Sequence, residues 1–260
     1  RHHEVLARRL VDRLAGSDFD VRVFRADDLG GLAGRAAGGL PVQQFKVTCI
    51  LRAIDEGPEG TRFVWSDVDV QPLGSTARLR AHVEAGSATV RAQREFDDCG
   101  LNVGFLVVER SPEARALFAD LGRRMTETKA LDQKILNAMV LDGRPGVERF
   151  STLVWASSNA AARPPLADLV LHHANFIPDD GRRRDSRDPT PKLRQLDDVA
   201  AWHDAGDDAK WTALLDDIVG DPSLAIYRDR SFPAALRDRW ADLFADEDQA
   251  EEEEGGCVYY

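Results

Sequence analysis

The sequence predicts an α/β protein with a mixed, mostly parallel sheet flanked by helices and a helical C-terminal region. Three observations carry this prediction. Helical spacing alternates with short apolar runs, as where "FKVTCILRAI" is followed by "TRFVWSD". Two acids, Asp67 and Asp69, stand where that run ends, the end of a strand at which open α/β sheets place their ligands. Beyond Lys192 only helical patterns recur.

Taken in order, the chain opens on "RHHEVLARRLVDRL", where Leu6, Leu10 and Leu14 lie one turn apart and predict a helix over His2 to Ala15. A doubly wound sheet normally opens on a strand, so a first strand, and any targeting segment, is expected ahead of Arg1. "DFDVRVF", Asp18 to Phe24, reads as a strand, and the Gly-rich stretch after it as a loop. Gln43 to Glu56 is helical by its apolar spacing, and Thr61 to Ser66 is the next strand. Ser87 to Phe96 and Leu101 to Arg110 read as two further strands. Ser111 and Pro112 then supply an N-cap and a first-turn proline to a helix with Leu117, Leu121 and Met125 on one stripe. A helix near Ala130 carries Leu131, Ile135 and Met139. Two short apolar runs, "RFSTLVWA" and "LADLVLHHANF", precede a charged loop over Ile177 to Pro191. Helices over Lys192 to Trp202, Asp207 to Val219 and Pro233 to Phe244 close the fold.

The 260 residues are enough to bury the core of one α/β domain, expected over 1–245. The net charge of −11 is largely local: Asp246, Glu247, Asp248 and Glu251 to Glu254 hold seven negative charges in an acidic tail, 246–260, expected to be disordered. Nothing resembles the basic stripe of a nucleic-acid binder. No apolar run approaches the roughly 20 residues that cross a bilayer. Cys49, Cys99 and Cys257 are too scattered for a zinc set or a disulfide framework, and Cys49 fits core packing. Neither a Walker-type phosphate loop nor a G-x-S-x-G elbow is present.

Four polar groups interrupt the apolar pattern. Asp67 and Asp69, two apart on an extended chain, would point the same way and suit a hard divalent cation, although an Asp after a strand is also ordinary turn chemistry. Asn102 and Gly104 begin an apolar strand, where a glycine admits close approach of a ligand or simply marks a bulge. Asp132 and Gln133 open a helix, as cap or as groups aimed at a sugar hydroxyl. His172 and His173 end an apolar run, one expected to face inward and one outward, and imidazole beside paired carboxylates can be a third metal ligand.

In this order "FVWSDVDVQPLG", "QREFDDCGLNVGFLVV", "LDQKILNAMV" and "LHHANF…KLRQL" resemble the nucleotide-diphospho-sugar transferase family, glycosyltransferases of the GT-A fold, from about Gln43 to Trp202. The resemblance implies a GT-A, Rossmann-like domain in which Asp69 of an Asp-x-Asp motif directly holds Mn²⁺ or Mg²⁺ against the diphosphate of a nucleotide sugar, Asp67 binds the metal or the nucleotide ribose, and His173 is a further metal ligand. It implies that Lys192 contacts the diphosphate, that Lys46 is another basic contact near the cleft, that Asn102, Gly104, Asp132 and Gln133 line the sugar and acceptor side, and that Asn175 binds donor or substrate. Asp132 and Gln133 become the catalytic candidates, and the partners a nucleotide-sugar donor and a glycan or glycoprotein acceptor. The alternative is a non-catalytic nucleotide-sugar or glycan-binding relative; a metal-dependent phosphohydrolase would need more clustered ligands. The departure from the family's pattern is at the start, where a first strand is expected ahead of Arg1, because in the family the loop after it helps hold the nucleotide.

Overall fold

A computed structural model of the chain describes residues 2–24, 40–95, 100–178 and 188–240. The Gly-rich loop after Phe24, Cys99, most of the loop after Ile177 and the acidic tail lie outside the described residues.

Helix α1 spans His2–Leu14 and α2 Leu40–Asp55. They are followed by β1 (Arg62–Ser66), β2 (Val70–Pro72), α3 (Thr76–Glu84), β3 (Val90–Arg94) and β4 (Leu101–Glu109). Helices α4 (Pro112–Thr128) and α5 (Asp132–Leu141) come next, then β5 (Val147–Arg149), β6 (Val154–Ala156), two 3₁₀ turns over Ser157–Ala162 and Leu166–Asp168, and β7 (Leu171–His173). Helices α6 (Thr190–Ala205), α7 (Asp208–Gly220) and α8 (Pro222–Ser231) complete the named elements, and residues 234–240 are helical.

The strands form two sheets, in the orders β1-β4-β3-β5 and β2-β7-β6. The mixed α/β class read from the sequence is what the chain adopts. The ladder directions differ from a mostly parallel arrangement: β1/β4, β3/β4 and β2/β7 are antiparallel, while β3/β5 and β6/β7 are parallel. Connection length explains the β3/β4 pair, since the link from Arg94 to Leu101 is too short for the crossover of about a dozen residues that parallel neighbours need.

Strand β4 organises the core because both of its faces are covered. Leu106 and Val108 pack with Ile50 of α2 and with Leu117, Phe118 and Met125 of α4. Phe105 and Val107 face the other way, into a cluster with Val70, Phe150 and Leu171 between the two sheets. A third cluster joins Trp155, Val199, Trp211 and Leu215, clamping α6 and α7 over the second sheet. The expected cap of α4 is present: Ser111 Oγ accepts from the Ala114 amide at 3.1 Å, with Pro112 in the first turn. Cys49 is fully buried, as core packing requires.

Two local expectations are corrected. Asp18 to Phe24 has no ladder partner among the described residues, and Val21 and Val23 are exposed. Alternation gives a chain the potential to pair, but a strand also needs a neighbour whose amides meet its own. Helices α3 and α8 were not expected; α3 is short and buries only Leu79 and Val83, too few apolar positions to set a period.

Candidate functional site

The site lies where the chain crosses from one sheet to the other. Asp67 leaves the end of β1, its amide donating to Gly104 O on β4 at 2.6 Å, and Asp69 immediately precedes β2. Val70 of β2 pairs with His173 at the end of β7, and the Ala174 amide returns to Asp69 O at 2.9 Å. Two carboxylates and one imidazole are thereby brought to one point, with a ligand atom from each within 4.8 Å of the others. The alternation argument for this pair does not hold, because Val68 and Asp69 lie in a turn. The crossover between sheets, rather than an extended run, gathers the acids.

Each of these three side chains is held by a second group. Lys46 Nζ, on α2, is 3.1 Å from Asp67 Oδ1, 3.3 Å from Asp132 Oδ2 and 3.3 Å from Val103 O. Burial alone would lower the pKa of this ammonium, but Asp132 and Asp67 outweigh burial and hold it above its ordinary value. Lys192, on α6, bonds Asp69 Oδ2 directly. Burial would raise the Asp69 pKa; His173 and Lys192 overcome that and hold the carboxyl well below the usual range. His173 Nε2 lies 3.4 Å from Asp69 Oδ1, and its Nδ1 lies 2.9 Å from Gln93 Oε1. Gln93 Nε2 in turn donates to Val154 O at 3.3 Å, which directs the carbonyl end of that amide at the imidazole. Nδ1 then donates to Gln93, which leaves Nε2, the nitrogen facing Asp69, as the one available to a metal ion.

Gly104 is required by this packing. A Cβ there would lie 2.1 Å from His173 Cε1 and 2.9 Å from Asn102 Oδ1. The close approach expected of a strand glycine is made by the imidazole ring.

The remaining sequence candidates gather around a residue the sequence did not single out. Glu95, at the end of β3, is buried, and its Oε1 accepts from Asn102 Nδ2 at 3.1 Å, Gln133 Nε2 at 3.1 Å and Asn175 Nδ2 at 3.4 Å. Its Oε2 accepts from Ser158 Oγ. Burial pushes its carboxyl pKa up, against the hydrogen bonds from Ser158, Asn102 and Gln133. Asn102 Oδ1 and Asn175 Oδ1 are also bonded internally, to the Gly104 and Ser158 amides at 2.7 and 3.0 Å. Asp132 is the first residue of α5 rather than its cap, which is Leu131; its Oδ1 accepts the Gln133 amide at 2.9 Å while its Oδ2 faces Lys46. The polar face of β3 was the available signal: Arg91, Gln93 and Glu95 alternate, and all three are buried.

The two histidines do not divide into one inward and one outward. Both are buried, because the sheet that carries them is covered on both faces. His172 stacks on Trp155 with ring centroids 5.3 Å apart, and burial depresses its pKa to about 3.

Beside the acids a cleft of about 1240 Å³ opens, lined by Lys46, Asp67, Asp69 and Lys192 at one end and by Phe19, Phe24, Phe63 and Trp65 along its walls. Trp65 Nε1 reaches Asp67 Oδ1 at 3.3 Å. The donor set of two carboxylates and one imidazole fits a hard or borderline divalent ion, and a small contraction would bring all three onto it.

No family model matches the sequence, and no curated protein does. Among solved structures, a glycosyltransferase involved in glycosylation of the major capsid of PBCV-1 superposes with a TM-score of 0.51 at 12% identity, over 75% of this chain and 92% of that one. The galactosyltransferase LgtC, in complex with donor and acceptor sugar analogues, gives 0.46 at 15% identity over 77% and 91%. Mouse xyloside xylosyltransferase 1 in its apo form gives 0.36 at 12% over 66% and 73%. The first of these likenesses shows the fold: this chain adopts the GT-A-like arrangement that its motif order implies.

Proposed function

We propose that this chain is a glycosyltransferase that moves a sugar from a nucleotide-diphosphate sugar to an acceptor hydroxyl, with Mn²⁺ or Mg²⁺ held by Asp67, Asp69 and His173. The observation that carries the reading is the placement of Asp67, Asp69 and two lysines in the lining of a single cleft, with buried His173 within reach of both acids at the junction of the two sheets. Such a cleft exceeds the roughly 300–1,000 Å³ of a small-molecule site, leaving room for a donor and part of an acceptor.

Departure of a nucleoside diphosphate leaves negative charge on its oxygens as the glycosidic bond breaks. A bound divalent ion supplies neutralising charge there. Lys192, on moving from Asp69 Oδ2 to a diphosphate oxygen, adds a second positive charge at the same place. Lys46 keeps its proton and holds Asp67 and Asp132 in fixed positions. Asp132 then serves as base towards the acceptor hydroxyl or orients the sugar, with Gln133 beside it. Phe24 and Trp65, 6.5 Å apart, offer apolar faces to the nucleoside. Among the described residues no helix is long and apolar enough to cross a membrane.

Calorimetric titration of UDP, GDP and their common sugar conjugates, with and without Mn²⁺, tests this. Mn²⁺-dependent binding of one nucleotide, with turnover of its sugar conjugate, is expected. Selective binding without turnover would instead favour a non-catalytic relative, and no binding to any of them would remove the proposal.

A further inference from the structure

Glu95 is an ionisable group that the chemistry above does not use, and it sits at the centre of the residues that chemistry does use. It is 1% exposed, and among the described residues no lysine or arginine answers its charge. Its oxygens accept four donors, from β4 (Asn102), α5 (Gln133), the 3₁₀ turn after β6 (Ser158) and the segment after β7 (Asn175).

From this hub three short paths reach the site. Through Asn102, whose Oδ1 accepts the Gly104 amide, it reaches the Gly104 carbonyl that accepts from Asp67, and the gap at Gly104 that seats the His173 ring. Through Asn175 it fixes the backbone two residues beyond His173. Through Gln133 it reaches Asp132, whose Oδ1 accepts the Gln133 amide. With Gln133 Nε2 committed to Glu95, its Oε1 is the end left for a ligand.

We infer that Glu95 is a positioning residue: it sets the orientation of the Asn102, Gln133 and Asn175 amides, and through them the placement of the metal-binding triad and of the sugar-side groups. A carboxylate suits this role because it accepts at both oxygens and donates at neither. A glutamine would offer the same shape, its carbonyl accepting the three amides more weakly and its NH₂ facing Ser158 Oγ, which already accepts from Asn175 Nδ2 at 2.6 Å.

The turnover readout rests on the transferase reading; the metal readout does not. Wild type, Glu95→Gln and Ser158→Ala are titrated with Mn²⁺ alone, then assayed for transfer at saturating Mn²⁺. Glu95→Gln is expected to keep its near-ultraviolet dichroism while Mn²⁺ affinity falls about 10-fold, the scale for groups that orient metal ligands. Its kcat is expected to fall by about 10- to 100-fold with donor KM changed by less than about threefold, since misplacement rather than lost diphosphate binding limits it. Ser158→Ala, which removes the Oε2 contact and the hydrogen bond that Asn175 Nδ2 gives Ser158 Oγ but leaves Asn102 and Gln133 on Oε1, is expected to show a smaller loss in the same direction. A lower melting temperature with Mn²⁺ affinity and kcat unchanged would make Glu95 merely structural and overturn the inference. Wild type that binds Mn²⁺ but turns over no donor removes the transferase reading and leaves Glu95 to be judged on Mn²⁺ affinity. Wild type that binds no Mn²⁺ removes both.

Discussion

Replacing Lys192 with methionine is expected to tighten Mn²⁺ binding while weakening nucleotide binding. In this structure the Lys192 ammonium occupies Asp69 Oδ2, so an ion that uses Asp69 must share that carboxylate and sit beside a like charge. The Asp69 side chain is 12% exposed and that of Lys192 35%, which places the pair between the surface and buried cases. Exposed pairs contribute about 0.2–1 kcal/mol, and breaking buried ones costs about 3–5 kcal/mol. With one partner in contact with water, about 1 kcal/mol is the appropriate figure. Since about 1.4 kcal/mol is a factor of ten, Lys192→Met should bind Mn²⁺ alone about fivefold more tightly. Methionine keeps the apolar stem, so packing of α6 is retained. At saturating Mn²⁺ the order reverses: loss of a charged contact to the diphosphate, about 1.5–3 kcal/mol, weakens UDP or GDP by roughly 10- to 100-fold. Calorimetry on both proteins reads both numbers. Equal or weaker Mn²⁺ binding by a variant with an unchanged melting curve would refute the competition between Lys192 and the ion for Asp69.

Other expectations follow from the same geometry. Asp69→Asn keeps the shape of a side chain placed between His173 and Lys192, and should abolish Mn²⁺-dependent nucleotide binding with circular dichroism unchanged; retained binding would place the ion elsewhere. Gly104→Ala puts a Cβ 2.1 Å from His173 Cε1, so the ring must leave its place. It should lower stability by about 1–3 kcal/mol, as overpacking does, and weaken Mn²⁺ at least about tenfold, read by denaturant unfolding and calorimetry. His172, with a folded pKa of about 3 against an ordinary 6.5, takes up a proton more readily when unfolded. Its contribution to stability is therefore complete above pH 6.5 and is lost as pH falls towards 3, and by pH 5 the loss is about 2 kcal/mol. His172→Phe should flatten unfolding free energy over that interval; an unaltered pH profile would count against a buried neutral imidazole.

Much of this arrangement could be read from the chain. The apolar run ending at Asp67 located the end of β1, and Ser111 with Pro112 located the start of α4, because both signals are local. Histidine and amide candidates could be named one by one, but their convergence on Asp67 and Asp69 was implied only by the order of four motifs, since nothing in residues 67 to 69 says that residue 173 will pair opposite Val70. Gln93 and Glu95 stayed hidden for a different reason. With Arg94 between them they form a polar run at the end of β3, a composition that normally marks a solvated stretch, and only the packing of the second sheet and the 3₁₀ turn buries them. Strand pairing was the least legible feature: Asp18 to Phe24 has the alternation of a strand without a ladder, whereas the three-residue β2, β6 and β7 form a sheet with little sequence signal of their own.

One divalent ion, held by Asp67, Asp69 and His173, is expected to meet a nucleoside diphosphate in the cleft. Diffraction at the manganese absorption edge, from crystals grown with Mn²⁺ and the nucleoside diphosphate that binds in calorimetry, locates the ion. An anomalous peak is expected among the Asp67 and Asp69 carboxylates and His173 Nε2, with Lys192 turned from Asp69 to the phosphates. A peak at another cluster, or nucleotide bound in the cleft with Lys192 still on Asp69 and no manganese beside it, would overturn the proposed metal site.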